Sequence, residues 1–110
     1  MSSAKLRMTT TTWKVLDALI NAGPDDLMFG LRICDETDLG SGTVYPVLDR
    51  LDRAGWVSRR WESEQPVGRP KRCYYTLTNT GRAGYEHAIA RRAAQRTQRA
   101  TQLGIVEASR

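Results

Sequence analysis

Histidine occurs once in this chain, at His87, and cysteine twice, at Cys34 and Cys73, on separate expected elements. A single imidazole and two isolated thiols lack the paired spacing of a zinc site or a disulfide framework. Each thiol reads first as a small buried hydrophobe, and a redox or metal role would need the fold or a second copy to bring the two together. No metal and no other cofactor is expected. A nucleophile beside a base, a carboxylate dyad and a phosphate-cradling glycine loop are also missing, which leaves an enzyme without its machinery. No apolar run approaches the roughly 20 residues needed to cross a bilayer. The start, MSSAKLRMTTTTW, lacks the apolar centre of a signal peptide. The expectation is a cytoplasmic protein with no membrane partner.

Acidic residues are scarce in the second part of the chain. Residues 1–66 carry 8 Lys and Arg against 10 Asp and Glu, whereas residues 67–110 carry 9 against 2. The net charge of +5 therefore resides in the later segment and favours an anionic partner. At 110 residues the chain is one domain's worth, with a core small enough to gain from dimerisation.

The most informative stretch is SGTVYPVLDRLDRAGWVSRR, Ser41 to Arg60. Val44, Val47, Leu48 and Leu51 recur at helical spacing, so one face is apolar. Gly42, Tyr45, Pro46, Asp49, Arg50 and Arg53 are left outward. Ser41 is the expected N-cap. Pro46 sits just past the first turn, so the helix either begins near Thr43 or bends there. Gly55 falls where a left-handed C-terminal cap belongs. From Trp56 the pattern changes to WVSRRWE, then the Pro- and Gly-containing ESEQPVGRPK, then RCYYTLT, which reads as two strands around a basic turn. Arg69, Lys71 and Arg72 crowd that turn beside Gly68, where a backbone without a side chain can approach a phosphate strand or a minor groove.

Two helical segments precede this unit. Thr10 to Ala22 places Trp13, Leu16, Leu19 and Ile20 on one face and stops at Gly23-Pro24. Leu27 to Thr37 carries Leu27, Leu31, Ile33 and Cys34, and a short turn through Asp38-Leu39-Gly40 then makes a helix-turn-helix with the Ser41 helix. Thr78 caps a long final helix, in which Gly84 and Gly104 are the weak points. Along it Ala93, Thr97, Ala100 and Gly104 form a stripe of small residues that suits a second helix, against the alternative of a solvated tail. Trp13, Trp56 and Trp61 read as core packing ahead of effector binding. Trp13 is the candidate for lining an interface cavity.

The runs GTVYPVLDRLDRAGW and GRPKRCYYTLTNTG resemble the signature of the PadR family of winged-helix regulators, in order and spacing, from about Thr12 to Gly81. The fold so implied is α+β and mainly helical: a winged helix-turn-helix with a β-hairpin wing over residues 9–77, then a C-terminal dimerisation helix and basic tail over 78–110. The resemblance implies a homodimer on an inverted-repeat operator in double-stranded DNA, usually a repressor, and a small hydrophobic effector near the dimer interface. Two departures stand out. Leu31 follows Gly30 where the family often has tyrosine, and no aromatic follows Tyr85 to sandwich a flat ligand.

Ser41, Thr43, Tyr45, Pro46, Arg50 and Arg53 of the helix, and Gly68, Arg69, Lys71 and Arg72 of the wing, are the expected DNA contacts. Ser41 would position on phosphate rather than read sequence. Arg50 or Arg53 would read guanine unless Asp49 and Asp52 hold them on the helix surface. The alternative is a winged helix that docks another protein, with Asp49 and Asp52 facing a basic partner.

Overall fold

Thr9 starts the first helix: its Oγ1 accepts the backbone N–H of Thr12 at 3.2 Å. The computed structural model describes residues 6–23 and 26–102. Within these, helix α1 (Thr10–Ile20) is followed by α2 (Gly30–Thr37), α3 (Ser41–Arg53), strands β1 (Val57–Trp61) and β2 (Cys73–Leu77), and α4 (Asn79–Gln102). The small residues Ala93, Thr97 and Ala100 lie on α4, whereas Leu103, Gly104 and Pro24 fall outside the described residues.

The first three helices pack round one core. Val15, Leu16 and Leu19 of α1 meet Ile33 of α2 and the buried face of α3, where Val44, Val47, Leu48 and Leu51 are all nearly inaccessible. The hairpin closes this core with Val57, Tyr75 and Leu77. β1 and β2 pair antiparallel, with Val57 opposite Leu77 and Trp61 opposite Cys73.

Three boundaries differ from the sequence reading. α1 ends at Ile20: the Asn21 N–H still donates to the Asp17 carbonyl, but the Ala22 N–H only closes a turn onto the Leu19 carbonyl. α2 begins at Gly30 rather than Leu27. Met28 and Phe29 are committed to the sheet edge instead: the Tyr75 N–H donates to the Met28 carbonyl at 2.8 Å, and Phe29 bridges Tyr74. Met28 therefore takes the buried place expected of Leu27, while Leu27 and Leu31 are 45% and 65% exposed. In α3 the N-cap is Gly40, not Ser41. Gly40 is extended at φ −78°, ψ 162°, and its carbonyl accepts the Thr43 and Val44 N–H groups, so Ser41 already lies within the first turn. Pro46 therefore stands inside a helix that begins at Ser41; the carbonyl it leaves without a partner belongs to exposed Gly42, which water can reach.

The end of α3 fixes everything after it. Gly55 is left-handed at φ +79°, its N–H donates to the Asp52 carbonyl, and the Trp56 N–H donates to Leu51 at 2.9 Å. This is the paired-bond stop that a glycine permits. Thr78 then ties the far end of the wing to the same place. Its Oγ1 donates to the Gly55 carbonyl at 2.6 Å and accepts the Gly81 N–H at 3.0 Å, capping α4, while its own N–H donates to the Trp56 carbonyl. Gly81 and Gly84 are small for a reason that helix propensity does not reveal. A methyl group at Gly81 would collide with the Trp56 carbonyl, and one at Gly84 would enter the Trp56 indole.

Gly81→Ala should consequently destabilise the protein by about 1–3 kcal/mol through this overlap. Gly42→Ala, with nothing near the added carbon, should be neutral or stabilising by up to about 1 kcal/mol. Thermal unfolding followed by circular dichroism tests the pair, and equal melting temperatures for the two variants would refute the close approach.

Candidate nucleic-acid interface

The outward face of α3 carries the side chains the sequence pattern assigns to it. Ser41, Tyr45, Pro46, Asp49, Arg50 and Arg53 are exposed, and Thr43 is half-buried. Arg50 makes no ion pair among the described residues. Arg53 does: its Nη2 lies 3.1 Å from Asp49 Oδ2, one helical turn back, with the arginine side chain 78% exposed. An exposed pair of this kind is worth at most about 1 kcal/mol, so an incoming phosphate can compete for the guanidinium. Asp52 is held by Arg59 of β1 at 3.4 Å.

Tyr45 is less free than its helical position suggests. Its ring lies directly over Gly30, where any side chain on α2 would strike the phenol. Burial, with lesser contributions from Cys34 and Cys73, pushes the Tyr45 hydroxyl above its ordinary value. It therefore stays a neutral hydrogen-bonding group at physiological pH. The fold brings both cysteines toward this tyrosine, and each is half-buried and free.

The wing is organised by a residue that sequence reasoning passed over. Glu62 follows β1 and accepts four hydrogen bonds: from Arg69 Nη1 and Nη2 at 2.8 and 2.9 Å, from the Arg72 backbone N–H at 2.9 Å and from Tyr74 Oη at 3.1 Å. Arg69 is therefore folded back as a bidentate strut across the hairpin, and is not the unattached cation the basic turn suggested. The only signal was an acid placed between two basic segments, and composition does not distinguish that from a solvated glutamate. Arg72 lies 3.9 Å from the Phe29 ring centroid, a cation–π contact that ties the wing to the start of α2. Lys71 is exposed without an ion pair among the described residues, and Gly68 occupies the tip at φ +85° with open space around it.

The tryptophans divide. Trp56 packs in the junction as expected. Trp13 is half-buried, edge-on to Tyr85 at 5.8 Å and covered by Arg92 at 4.6 Å. Trp61, expected in the core, is 59% exposed, because the far end of the two-stranded sheet extends beyond the helices that bury Val57.

A helix-turn-helix with an exposed, partly cationic third helix and a glycine-tipped basic hairpin defines a winged-helix DNA-binding domain. The model of the transcriptional regulator PadR-like family matches residues 28–87, more than half of the chain, and the protein belongs to that family of transcription regulators. Solved structures agree on the fold. A PadR family regulator from Clostridium difficile R20291 superposes with a TM-score of 0.64 at 21% identity, covering 86% of this chain and 98% of the other. One from Eggerthella lenta DSM 2243 gives 0.64 at 19%, covering 81% and 80%. The PcaV regulator from Streptomyces coelicolor, solved with its natural ligand, gives 0.62 at 19%, covering 86% and 62%. No curated protein matches the chain. The protein is thus a DNA-binding transcriptional regulator, not an enzyme, and no helix among the described residues is long and apolar enough to cross a membrane.

The Glu62 network should make wing order pH-dependent. Hydrogen bonds from Arg69, then from the Arg72 backbone, hold the Glu62 carboxyl down at about 2, against an ordinary 4.5. A depressed carboxylate stabilises the fold above its unfolded pKa, and that contribution is lost as pH falls through the folded value. Protection of the Arg72 amide from hydrogen exchange should therefore hold at pH 5 and above and decline toward about pH 2. Glu62→Gln should remove most of that protection and its pH dependence alike. Full protection in Glu62→Gln would show that the carboxylate does not order the wing.

Proposed function

We propose that the chain acts in the cytoplasm as a homodimeric repressor on an inverted-repeat operator. Residues 9–77 dock on DNA, and residues 78–110 join the two copies. The supporting observation is the distribution of unengaged cations: Arg50 on the outward face of α3 and Lys71 beside the Gly68 tip are both exposed and without an ion pair among the described residues. Two such units about 34 Å apart would seat their α3 helices in successive major grooves, with the wings beside the minor groove.

Arg50 is the candidate for base readout, and Arg53 joins it by exchanging Asp49 for DNA. Ser41, Thr43, Tyr45 and Pro46 form the surface that meets the groove wall and backbone. Gly68, Lys71 and Arg72 contact phosphate or the minor groove, while Arg69 acts through Glu62 by holding the wing in shape. A small hydrophobic effector would have room in the cavity of about 370 Å³ that Trp13 lines with Leu6, Met8, Ala88 and Arg92. Docking of a basic protein instead is disfavoured, because Arg50 and Lys71, exposed and without an ion pair among the described residues, would meet it with charge of the same sign.

Fluorescence anisotropy against the DNA upstream of its own gene and against scrambled DNA, at two salt concentrations, tests the reading. A preference of about a thousandfold with a steep salt dependence is expected. Lys71→Ala, which removes one lysine from each of the two wings, should weaken both DNAs alike and reduce the salt slope by about two, whereas Arg50→Ala should narrow the preference between them. An unchanged slope in Lys71→Ala would remove the wing from the interface, and no binding to either DNA would overturn the function proposed.

A further inference from the structure

Leu31, Trp61 and Tyr45 are large apolar side chains left 65%, 59% and 42% exposed, and they come from three different elements, α2, β1 and α3. They converge with Phe29 and Tyr75 on one groove of about 450 Å³ between α3 and the wing. Its volume lies within the usual range for small-molecule sites, and clustered exposure of this kind is characteristic of binding surfaces.

The polar features of the groove have one sign. Arg69, Lys71 and Arg72 line it, and no acidic residue does. Arg69 is held by Glu62 and Arg72 by Phe29, which leaves the Lys71 ammonium to meet an anion. Gly30 and Leu31, also in the lining, form the first turn of α2, a helix whose N-cap residue, Phe29, provides no side-chain hydrogen bond. Amide N–H groups in a first turn have no intrahelical acceptor, and they favour a tetrahedral oxyanion.

We propose that this groove is a binding site for an aromatic phosphate ester, with a flat ring seated against Trp61 and Leu31 and the phosphate held by Lys71 and the first turn of α2. Tyr45 and Lys71 belong both to this groove and to the proposed DNA surface, so the bound ester excludes DNA by direct competition. That consequence rests on the DNA-binding reading; binding of the ester does not.

Isothermal titration calorimetry on the full chain at low salt, with 4-methylumbelliferyl phosphate as the probe, tests the site. The ester should bind at least about tenfold tighter than 7-methoxy-4-methylcoumarin or inorganic phosphate, since each supplies only half of the recognition. Trp61→Ala and Lys71→Ala change exposed side chains, and each should weaken the ester by about fivefold or more while circular dichroism stays unchanged. Trp13→Phe should leave the affinity as it is. Absence of binding, equal affinity for the ester and the uncharged ring, or a loss in Trp13→Phe without one in Trp61→Ala would each overturn the proposal. The ester should then displace DNA in the anisotropy assay. Ester binding without displacement would support the site and count against the DNA surface assigned to it; DNA binding by a chain that ignores the ester would do the reverse.

Discussion

The backbone at Gly55 and Trp56 is the constraint on which the rest of the molecule depends. Within two residues it terminates α3, starts β1, receives both the N–H and the hydroxyl of Thr78 at the end of the hairpin, and lies against Gly81 at the start of α4. The recognition helix, the wing and the final helix are therefore referenced to one point rather than to each other through flexible loops. The arrangement needs a left-handed residue at 55 and absent side chains at 81 and 84, requirements that glycine meets at least cost. The wing and recognition helix can then present a fixed separation to a rigid partner.

The same rigidity changes how the positive charge should be counted. The basic turn looks like three equivalent cations beside a glycine, but the fold assigns them different duties. Arg69 is spent on Glu62, Arg72 covers Phe29, and Lys71 is left in solvent. On α3, Arg53 faces Asp49, whereas Arg50 has no acidic partner. The distinction is energetic as well as geometric. A single exposed ion pair exchanges readily for phosphate, whereas displacing Arg69 would strip a carboxylate of its bidentate partner and loosen the turn that the Arg72 amide also anchors.

These duties mark where the sequence was legible and where it was not. The buried face of α3, the left-handed stop at Gly55, the Thr78 cap and the two strands could all be read from local rules, because each is decided by spacing or by a residue's own backbone preference. The start of α2 could not. Leu27 and Leu31 suit a helical face, but the chain before Gly30 is claimed by a hydrogen bond from Tyr75, more than forty residues away, and Met28 is buried in its place. Ser41 lost the cap position to Gly40 by a single residue, which is the usual scale of error at a helix end. The socket beneath Tyr45 is a tertiary feature. Gly30 looks like an ordinary weak point in a helix until the phenol is placed over it.

The final helix is the element that one copy of the chain packs least. α4 runs for 24 residues, yet Gly81 is its one buried residue. Its inner contacts come early: Tyr85 donates to Asp17 at 2.6 Å, and Arg92 lies over Trp13. From Ala93 to Arg99 every residue is exposed. The radius of gyration, 17.2 Å, exceeds the roughly 13 Å of a compact chain of this length, as a projecting helix requires. The exposed later part of α4 is by itself too short to hold a helix in water, and most helical stability in proteins comes from packing a face against something else. The small side chains of Ala93, Thr97 and Ala100 provide a surface on which a second helix can lie close. A symmetric partner would supply that packing for both copies at once and set the separation of the two α3 helices. In the homodimer proposed above, the length of α4 would set operator spacing, so the element least engaged in one copy's fold would govern how two copies read DNA.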